Sequence, residues 1–372
     1  MHMSVITEKK INCLDLQEQH SRIKTEVLDA FEKVYDQSSF SDGPFVQEFE
    51  KQFANFCQVA YAVGVNNGTS ALHLAMIALG IGPGDEVIVP ANTFIATAWG
   101  VSYAGAIPVF ADCTDNTWQL DPESVREKIT PRTKAVVGVH LYGQPCDVDA
   151  LKSLCREYGI YFVEDAAQAH GARYKGNMTG SLGEVGCFSF YPGKNLGACG
   201  EAGAITTHRE MYYLRLRSLR NHGSRVRYYH DELGYNMRMS GLEAASLGVK
   251  LKYLDGWNVR RKEIACRYQQ EISNPGIRLQ YQPAWAESVY HLFVVTADDR
   301  EGLLKHLNKH NVFPGLHYPV PCHLQKAYAS LNYELGDCPN AEYLASHCLS
   351  LPMYSELEDD QVSYIVDLLN NY

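Results

Sequence analysis

Two residues whose types could do chemistry together are Asp165 and Lys194. Asp165 ends an apolar run, residues 160–165, that has the composition of a buried strand. Lys194 follows Pro192-Gly193 and lies in a turn-rich segment. A carboxylate at a strand tip can keep a pyridine nitrogen protonated, and a lysine amine can form a Schiff base with an aldehyde. The pair therefore suits the chemistry of pyridoxal 5'-phosphate (PLP).

Each of these residues also has a simpler interpretation. An Asp after a strand is commonly a helix N-cap, and a lysine in a loop is commonly a solvated surface charge. The combination favours the chemical interpretation, because Gln168 and His170 follow Asp165 closely. A buried lysine also has a lowered pKa, which frees its amine to attack an aldehyde and later to move a proton.

A second segment could hold the phosphate group of such a cofactor. Residues 65–73 have the pattern of a strand end, a turn at Gly68, and a helix that begins with Thr69 and Ser70. The free N–H groups and the dipole at a helix start favour a bound phosphate, and Ser189 could add a hydroxyl. An ordinary capped helix is the alternative. No G-x-G-x-x-G run follows a strand nearby, so the segment does not indicate a dinucleotide site.

The elements that must position these residues alternate between short β-rich runs and helical patterns. Such alternation predicts a mostly parallel sheet covered by helices on both faces, with the ligand outside the carboxyl ends of the strands. Helical patterns are expected near 21–35, 43–57, 69–80, 93–104, 121–129 and 147–157. Strands are expected at 61–65, 86–89, 107–110, 134–139, 160–164, 186–190 and 203–207.

From about residue 208 the pattern changes. A helix with an arginine-rich end leads into a polar loop at 221–230, and long helical stretches follow near 240–272, with a long helix around 250 joining the two parts. A strand is expected near 290–296 and helices near 301–310 and 357–370. We therefore predict a large PLP-binding domain with an N-terminal arm over residues 1–250, and a smaller C-terminal α+β domain over residues 251–372.

Composition limits the classes of function. The 372 residues carry a formal net charge of −10, which argues against a general role in nucleic-acid or membrane-surface binding. The eleven cysteines include no C-x-x-C pair, which predicts reduced thiols and a cytoplasmic location, and no metal site. No apolar run approaches the roughly 20 residues that span a bilayer. The first ten residues show no secretion signal.

The arginines between residues 209 and 238 form a separate signal. Seven arginines stand against three acidic residues there, in a chain that is acidic as a whole. Arginine forks suit the charged diphosphate of a nucleotide, so Arg220 and Arg238 are candidate substrate contacts. A solvated helix face is the alternative.

Together, these segments resemble the sugar aminotransferases of the DegT/DnrJ/EryC1/StrS family, which have the fold-type I, aspartate aminotransferase-like architecture. The resemblance covers nearly the whole chain, and the run 190–198 is most similar to members that act on nucleotide-linked 3-keto-6-deoxyhexoses. The segments that carry it are 67–72, 90–97, 164–171, 188–198, 234–239, 317–319 and His323.

The resemblance implies roles for individual residues. Lys194 would form the Schiff base, a covalent aldimine, with PLP. Asp165 would pair with the ring nitrogen, and Gln168 would contact the ring or its 3-oxygen. The other cofactor-binding residues would be Gly68, Thr69, Ser70 and Ser189 at the phosphate, Phe94 stacked on the ring, and Asn236. The substrate-binding residues would be Tyr191, Arg220, His317, Tyr318 and His323.

Asn236 is expected to reach the phosphate of the neighbouring subunit's cofactor, which implies a homodimer with shared active sites. Two positions depart from the family pattern. Cys199 stands where a larger apolar residue is expected, and Met237 stands where an aromatic residue is more frequent. The second departure weakens the transfer of individual substrate contacts.

The implied reaction is transamination of a dTDP-linked 3-keto-6-deoxyhexose with L-glutamate, giving a 3-amino-3,6-dideoxyhexose. A UDP-linked 3-keto sugar, a 4-keto sugar and an inosose-type cyclitol are alternative substrates. A non-catalytic sensor with the same fold is the alternative from another class. Related deoxygenating enzymes carry histidine at the lysine position, so Lys194 argues against dehydration. A metal hydrolase that uses His317 and His323 lacks a third ligand at metal-binding spacing.

Overall fold

In the computed structural model, residues 10–372 are described, and they form a mixed α/β structure. Residues 1–9 lie outside the described residues. The predicted absence of a secretion signal and the first part of the predicted N-terminal arm fall there. The helices are α1 (Leu16–Asp36), α2 (Pro44–Phe56), α3 (Gly68–Ala78), α4 (Ala96–Tyr103), α5 (Pro122–Lys128), α6 (Val148–Tyr158), α7 (Glu210–Leu219), α8 (Gly241–Lys250), α9 (Leu254–Glu271), α10 (Arg300–Lys309), α11 (Pro339–His347) and α12 (Asp359–Asn370).

The strands are short, and most of those in the first two-thirds of the chain contain a continuous run of buried residues. In chain order they are β1 (Ile11–Asn12), β2 (Tyr61–Val65), β3 (Glu86–Pro90), β4 (Ile107–Ala111), β5 (Thr133–Val139), β6 (Tyr161–Asp165), β7 (Arg173–Tyr174), β8 (Asn177–Met178), β9 (Val185–Ser189), β10 (Gly203–Thr207), β11 (Ser224–Val226), β12 (Tyr229–His230), β13 (Ile277–Leu279), β14 (Ala286–Glu287), β15 (Phe293–Ala297), β16 (Val312–Phe313) and β17 (Cys348–Leu351).

The seven strands predicted between residues 61 and 207 all lie in one central sheet, which confirms the predicted α/β class. Its strand order is β2-β10-β9-β6-β5-β3-β4. Only β10 runs antiparallel to its neighbours in this sheet, and the other adjacent pairs are parallel. Strands buried on both faces read as continuous apolar runs, which is why the sequence showed them without strict alternation.

The register of the sheet brings three chain segments to one edge. Gly203 in β10 lies opposite Val65 on one side and opposite Ser189 on the other. Asp165, the last residue of β6, lies beside Cys187 of the neighbouring parallel strand β9. The carboxyl ends of β2, β6 and β9 therefore meet, at the place where parallel sheets bind ligands.

The C-terminal part has its own apolar core around a three-stranded antiparallel sheet of order β13-β15-β17. This core includes Ile264 of α9, Leu303 of α10 and Ile365 of α12. Ile11 belongs to it as well, since β1 pairs with β16. The expected division after residue 250 falls in the turn between α8 and α9, and two separate domains remain a prediction.

Three expectations about local structure need correction. The long helix expected around residue 250 is interrupted, because the chain turns at residues 251–253 between α8 and α9. The expected polar loop at 221–230 contains the antiparallel hairpin β11–β12. Helix α11 was not predicted at all. Among the helices of residues 10–372, none combines the length and the apolar composition that crossing a membrane requires.

The contact between α3 and α4 depends on a glycine. A Cβ atom added at Gly100 would lie 2.5 Å from the Cβ atom of Leu72, which is closer than real contacts allow. We expect Gly100→Ala to lower the free energy of unfolding by about 1–3 kcal/mol, because the methyl group would push these helices apart. Urea denaturation measures this change.

Gly256 provides a matched control for that substitution. It also lies inside a helix, α9, but a Cβ atom added there would meet nothing within 4 Å. Gly256→Ala should therefore raise the free energy of unfolding by about 0.5–1 kcal/mol through helix propensity alone. Equal stability of the two variants would contradict the tight contact at Gly100.

Candidate active site

Asp165 is held at the carboxyl end of β6 with its side chain almost completely buried. The hydroxyl of Thr97 donates to Oδ2 at 2.7 Å, and the amide of Ala167 donates to Oδ1 at 3.1 Å. Burial raises the pKa of this carboxyl group above its ordinary value, while the two donors and the nearby Lys194 oppose that shift. The site therefore contains a buried carboxylate that an added positive charge would stabilise.

Glu164, the residue before Asp165, fixes the end of β6 through a network of hydrogen bonds. Glu164 is fully buried and accepts hydrogen bonds at 2.7 Å from each of the amides of Gly180, Leu182 and Gly183. His140 Nε2 lies 2.9 Å from the same carboxylate, and the amide of Cys146 donates to His140 Nδ1. This network makes the position of β6 rigid, since every oxygen of Glu164 is occupied.

Lys194 lies on the loop that follows β9. Its amide donates to the carbonyl of Tyr191, and the loop closes where the amide of Ala198 donates to the carbonyl of Phe190. Burial lowers the pKa of the Lys194 amine to about 8, and Asp165 acts in the opposite direction. A substantial fraction of this amine is therefore neutral near physiological pH, as a nucleophile or a base must be.

Three histidines close to Lys194 remain uncharged at neutral pH. Burial first, and the charge of Lys194 second, lower the pKa of His170 to about 3 and of His317 to about 4. The same causes, with Arg261 after them, lower the pKa of His291 well below its ordinary value. The three histidines therefore add no positive charge beside the amine of Lys194.

The start of α3 lies directly against the end of β9. A Cβ atom added at Gly68 would lie 2.6 Å from the Cβ atom of Ser189, so only glycine fits there. The side chain of Asn67 caps the helix by accepting from the amide of Ser70 at 2.8 Å. The amides of Gly68 and Thr69 precede the first helical hydrogen bonds, and with the Ser189 hydroxyl they form a cup of donors suited to a phosphate.

Gln168 links the acid-bearing loop to the C-terminal part. Its Oε1 accepts from the amide of Tyr142 at 2.6 Å, and its Nε2 donates to the Tyr318 hydroxyl at 3.0 Å. Tyr142 adopts a positive φ of 64°, and its hydroxyl donates to the carbonyl of His317 at 2.7 Å. A positive φ in a bulky residue is unfavourable, and here it is stabilised by contacts on both sides.

The open side of the site is aromatic. Phe94 is 51% exposed, Tyr191 is 54% exposed, and the rings of Phe94 and Tyr318 are 5.6 Å apart. Asn236 is exposed on a segment that bridges to Asn221. That segment continues beside the end of β2, where Arg238 forms a bridge with Val65. These positions are compatible with the roles expected from the sequence, and the roles themselves stay predictions.

Arg220 corrects one expectation. Its side chain is buried, and its guanidinium group donates to Glu50 and to the carbonyl of Gly64, with Asp42 at 3.4 Å. Burial raises the pKa of Glu50, and Arg220 opposes that shift. Arg220 is thus the partner of a buried carboxylate and cannot also hold a nucleotide diphosphate.

His323 corrects another expectation. The imidazole is buried, and its Nε2 lies 3.0 Å from Oε1 of Glu342. Glu342 also accepts from the amides of Gly336 and Cys338, so the pair fixes the start of α11. A sugar in the cleft cannot reach a side chain in this position. Within residues 10–372, no three His, Cys, Asp or Glu side chains group as a metal site.

Sequence reasoning missed several residues that the structure places at the site. Thr97 is the last residue of the segment 90–97 that carries the family resemblance, but nothing in the sequence indicated that its hydroxyl would reach Asp165. Tyr142 and His291 belong to no recognised motif. Their roles arise from contacts between segments far apart in the chain, which spacing along the chain does not report.

The residues present fit PLP on three structural grounds. The carboxylate of Asp165 is buried, and no ion pair among the described residues includes it. At the phosphate cup the chain is so close to Ser189 that any side chain larger than that of glycine at position 68 would collide with it. The Lys194 amine has a lowered pKa. These features match, in turn, a ring nitrogen, a phosphate and an aldehyde.

Comparison with known proteins gives a consistent result. The model of the DegT/DnrJ/EryC1/StrS aminotransferase family matches residues 21–370. The erythromycin biosynthesis sensory transduction protein EryC1 of Saccharopolyspora erythraea is 44% identical over 357 residues, which cover 96% of this chain and 98% of the relative. The dTDP-3-amino-3,6-dideoxy-alpha-D-galactopyranose transaminase of Aneurinibacillus thermoaerophilus is 43% identical over 359 residues, with 96% and 98% covered.

A solved structure is similar over nearly its whole length. The crystal structure of Streptomyces venezuelae DesV in complex with a ketimine intermediate superimposes with a TM-score of 0.95 at 44% sequence identity. The match covers 97% of this chain and 98% of that one. The expected fold-type I architecture is therefore confirmed.

The correction at Arg220 leads to a test. Arg220→Ala should lower the free energy of unfolding by about 3–5 kcal/mol, because it leaves Glu50 buried without its partner. Chemical denaturation measures this loss. Arg217→Ala, on the exposed face of α7, is the control and should change stability little. A raised Michaelis constant for a nucleotide sugar with unchanged stability would restore Arg220 to the substrate site.

The hydroxyl of Thr97 can be removed with almost no change of shape. In Thr97→Val we expect the pKa of Asp165 to rise further, because a donor that stabilises its ionised form is lost. The carboxylate then becomes protonated at higher pH than in the wild type. The acid limb of the PLP-binding profile should therefore shift towards higher pH, with affinity near neutral pH weaker by roughly tenfold.

Thr296→Val is the matched control for Thr97→Val. The Thr296 hydroxyl is buried in β15 and has no hydrogen-bond partner among the described residues. Removing it should leave PLP affinity and its pH profile unchanged, and stability equal or higher. Identical profiles for Thr97→Val and the wild type would show that the hydroxyl does not act on Asp165.

Proposed function

The chain belongs to the DegT/DnrJ/EryC1/StrS aminotransferase family, whose members depend on PLP, and we propose that it aminates a dTDP-linked 3-keto-6-deoxyhexose with L-glutamate as donor. The product would be a 3-amino-3,6-dideoxyhexose for a surface polysaccharide or a secondary-metabolite glycan. One observation carries the proposal: a buried carboxylate and an amine of lowered pKa lie in one cleft at the carboxyl edge of the sheet.

When bound, PLP supplies an electron-withdrawing ring that stabilises negative charge on a substrate carbon that loses a proton. Asp165 would keep the ring nitrogen protonated through its charge, with Thr97 and Ala167 holding the carboxylate in place. Gly68, Thr69 and Ser189 would hold the phosphate, with Ser70 at the same helix start. Phe94 would cover one face of the ring.

Lys194 would move the proton. Its pKa of about 8 lies near the working pH, so the amine can accept a proton in one half of the reaction and return it in the other. A pKa of this size matters for both steps. An ordinary lysine would be almost wholly protonated at neutral pH and so unavailable as a base, whereas an amine of much lower pKa would take up the proton only weakly. The neutral histidines around it add no charge that would lower it further.

The sugar would lie on the open side of the cleft. Phe94 is half exposed and its ring lies 5.6 Å from that of Tyr318. Tyr191, which is half exposed on the loop of Lys194, and His317 would complete the sugar site. The transaminase relative with 43% identity is named for a dTDP-linked 3-amino sugar, which supports the nucleotide and the 3-position. A UDP-linked 3-keto sugar or a 4-keto sugar would use the same chemistry.

We further propose a cytoplasmic homodimer in which each chain completes the other's site. Asn236 is exposed beside the end of β2, at the edge of the sheet where the phosphate cup lies. Its amide could donate to a phosphate in a neighbouring copy without a change in this chain. The formal net charge of −10 does not favour nucleic acid or membrane surfaces as partners.

A sensor without catalysis is the second candidate, because the relative with 44% identity is named a sensory transduction protein. A sensor would need a ligand pocket but not an amine with a pKa of about 8 beside a buried carboxylate. Addition of glutamate separates the two. A transaminase loses the visible absorbance of its bound cofactor, whereas a sensor retains it.

The direct test is mass spectrometry of the products from a panel of nucleotide ketosugars with glutamate. The panel should contain dTDP-linked and UDP-linked sugars, each with the keto group at position 3 or position 4. We expect amination of the dTDP-linked 3-keto-6-deoxyhexose with the highest kcat/KM. Amination of a 4-keto sugar alone would overturn the proposed substrate, and no amination at all would overturn the proposed reaction.

Replacement of the lysine tests the mechanism. Lys194→Ala should retain the fold and reduce turnover by at least about a thousandfold, because it removes the amine that would form the Schiff base and move the proton. Lys175→Ala is the control, since Lys175 is an exposed lysine paired with Asp149, and it should turn over normally. A single-turnover assay measures both. Normal turnover in Lys194→Ala would contradict the role of Lys194.

A further inference from the structure

Two buried asparagines lie between the loop that carries Lys194 and the loop that carries Asp165. Asn195 directly follows the lysine and is 2% exposed, and Asn258 lies on α9 and is 5% exposed. Asn195 Nδ2 donates to Asn258 Oδ1 at 2.9 Å. Asn258 Nδ2 donates in turn to the carbonyl of His170 at 2.8 Å. One chain of hydrogen bonds thus connects the two loops.

Backbone carbonyls fix the orientation of both amides. The carbonyl of His170 can only accept, so Nδ2 of Asn258 must face it and Oδ1 must face Asn195. Asn195 Nδ2 also reaches the carbonyl of Val289 at 3.1 Å, which leaves Asn195 Oδ1 for His291 Nδ1 at 3.1 Å. His291 must therefore carry its proton on Nδ1, and its Nε2 is left as a lone pair.

The third anchor of this network is the C-terminal part. Arg261, one helical turn after Asn258, is buried and donates to the carbonyls of Tyr290, His291 and Met353. Gly171 leaves space for the amide, since a Cβ atom there would lie 2.8 Å from Asn258 Nδ2. The loops at 165–171, 194–198 and 289–291 are thereby fixed to one face of α9.

We propose that Asn258 is a positioning residue that sets the distance between Lys194 and Asp165 by holding Asn195 and the carbonyl of His170 at the same time. The proposal rests on the proposed function, because it assigns Asn258 a role only if the lysine and the acid act on one cofactor. Asn258 does not itself touch the reacting atoms. It acts through the two loops.

Burial of polar groups alone does not explain this arrangement. A buried asparagine can be replaced by an apolar residue of the same shape at little net cost when all its partners are lost together. Here the partners remain, so a change at position 258 leaves them unpaired and should lower stability. Because these partners belong to the two loops that carry the reactive groups, the change should alter cofactor binding as well.

The experiment compares Asn258→Leu, Asn258→Asp and Val259→Ala by the dissociation constant for PLP, measured by absorbance across a pH series. Asn258→Leu keeps the shape and removes both hydrogen bonds, so PLP should bind about tenfold more weakly at every pH. Val259 is the next residue on α9 and is 55% exposed, so Val259→Ala should bind PLP like the wild type.

Asn258→Asp gives a signature that a packing role would not. An ionised carboxylate repels the carbonyl of His170, whereas the protonated acid can donate to it and still accept from Asn195. The ratio of its dissociation constant to that of the wild type should fall towards one as pH decreases. His170, His291 and His317 have lowered pKa values, and Arg261 stays cationic, so the groups that titrate there are Lys194, Asp165 and the new carboxyl group. Lys194 and Asp165 are present in both proteins, so the ratio cancels their effects.

The outcomes are distinct. A wild type that does not bind PLP would overturn the proposed function. A wild type that binds PLP, with all three variants within twofold of it, would overturn the role of Asn258. If Asn258→Leu and Asn258→Asp bound PLP equally weakly at every pH, Asn258 would contribute only packing, which would also overturn its proposed role. Thermal unfolding of each cofactor-free variant shows whether it is folded at the assay temperature. A loss of affinity in folded variants that recovers for Asn258→Asp as pH decreases supports positioning.

Discussion

A carboxylate that is buried without a full counter-charge is the constraint on which the site depends. Asp165 receives two hydrogen bonds and some attraction from Lys194, yet burial still raises its pKa. The same burial lowers the pKa of Lys194. Each group therefore stabilises the charged form of the other only in part. Such a pair is costly to keep in a protein unless a third partner completes it, and a cofactor with a basic ring nitrogen and an aldehyde does so.

The fold keeps this pair apart from bulk solvent through close approaches between backbone segments. Gly203 places the chain of β10 between the ends of β2 and β9, and Gly68 lets α3 begin directly against Ser189. The rigid network around Glu164 fixes the end of β6 at the same edge. Strands, helix start and lysine loop are thus each fixed by contacts within this chain.

The sequence was sufficient for the central sheet, because buried strands form apolar runs. It also placed Asp165 at the end of one such run and Lys194 on the loop after another, as the fold has them, while their roles stay predictions. It was misleading at Arg220 and His323. An arginine among other arginines looks like a surface cation, and only the fold shows that Glu50 lies beneath it. The contacts of Thr97, Tyr142 and Asn258 could not be predicted, since each joins segments between 26 and 88 residues apart through a single hydroxyl or amide.

Cofactor binding and sugar binding would depend on different parts of the molecule. Most of the groups expected to hold the cofactor are buried or partly buried in this chain, with Phe94 and Asn236 as exposed exceptions, so their geometry follows largely from the fold. Of the groups expected to meet the sugar, Tyr191 is half exposed, and His317 and Tyr318 are partly buried. Substrate choice would therefore depend on side chains nearer the surface. This is why the family fixes the chemistry more firmly than it fixes the sugar.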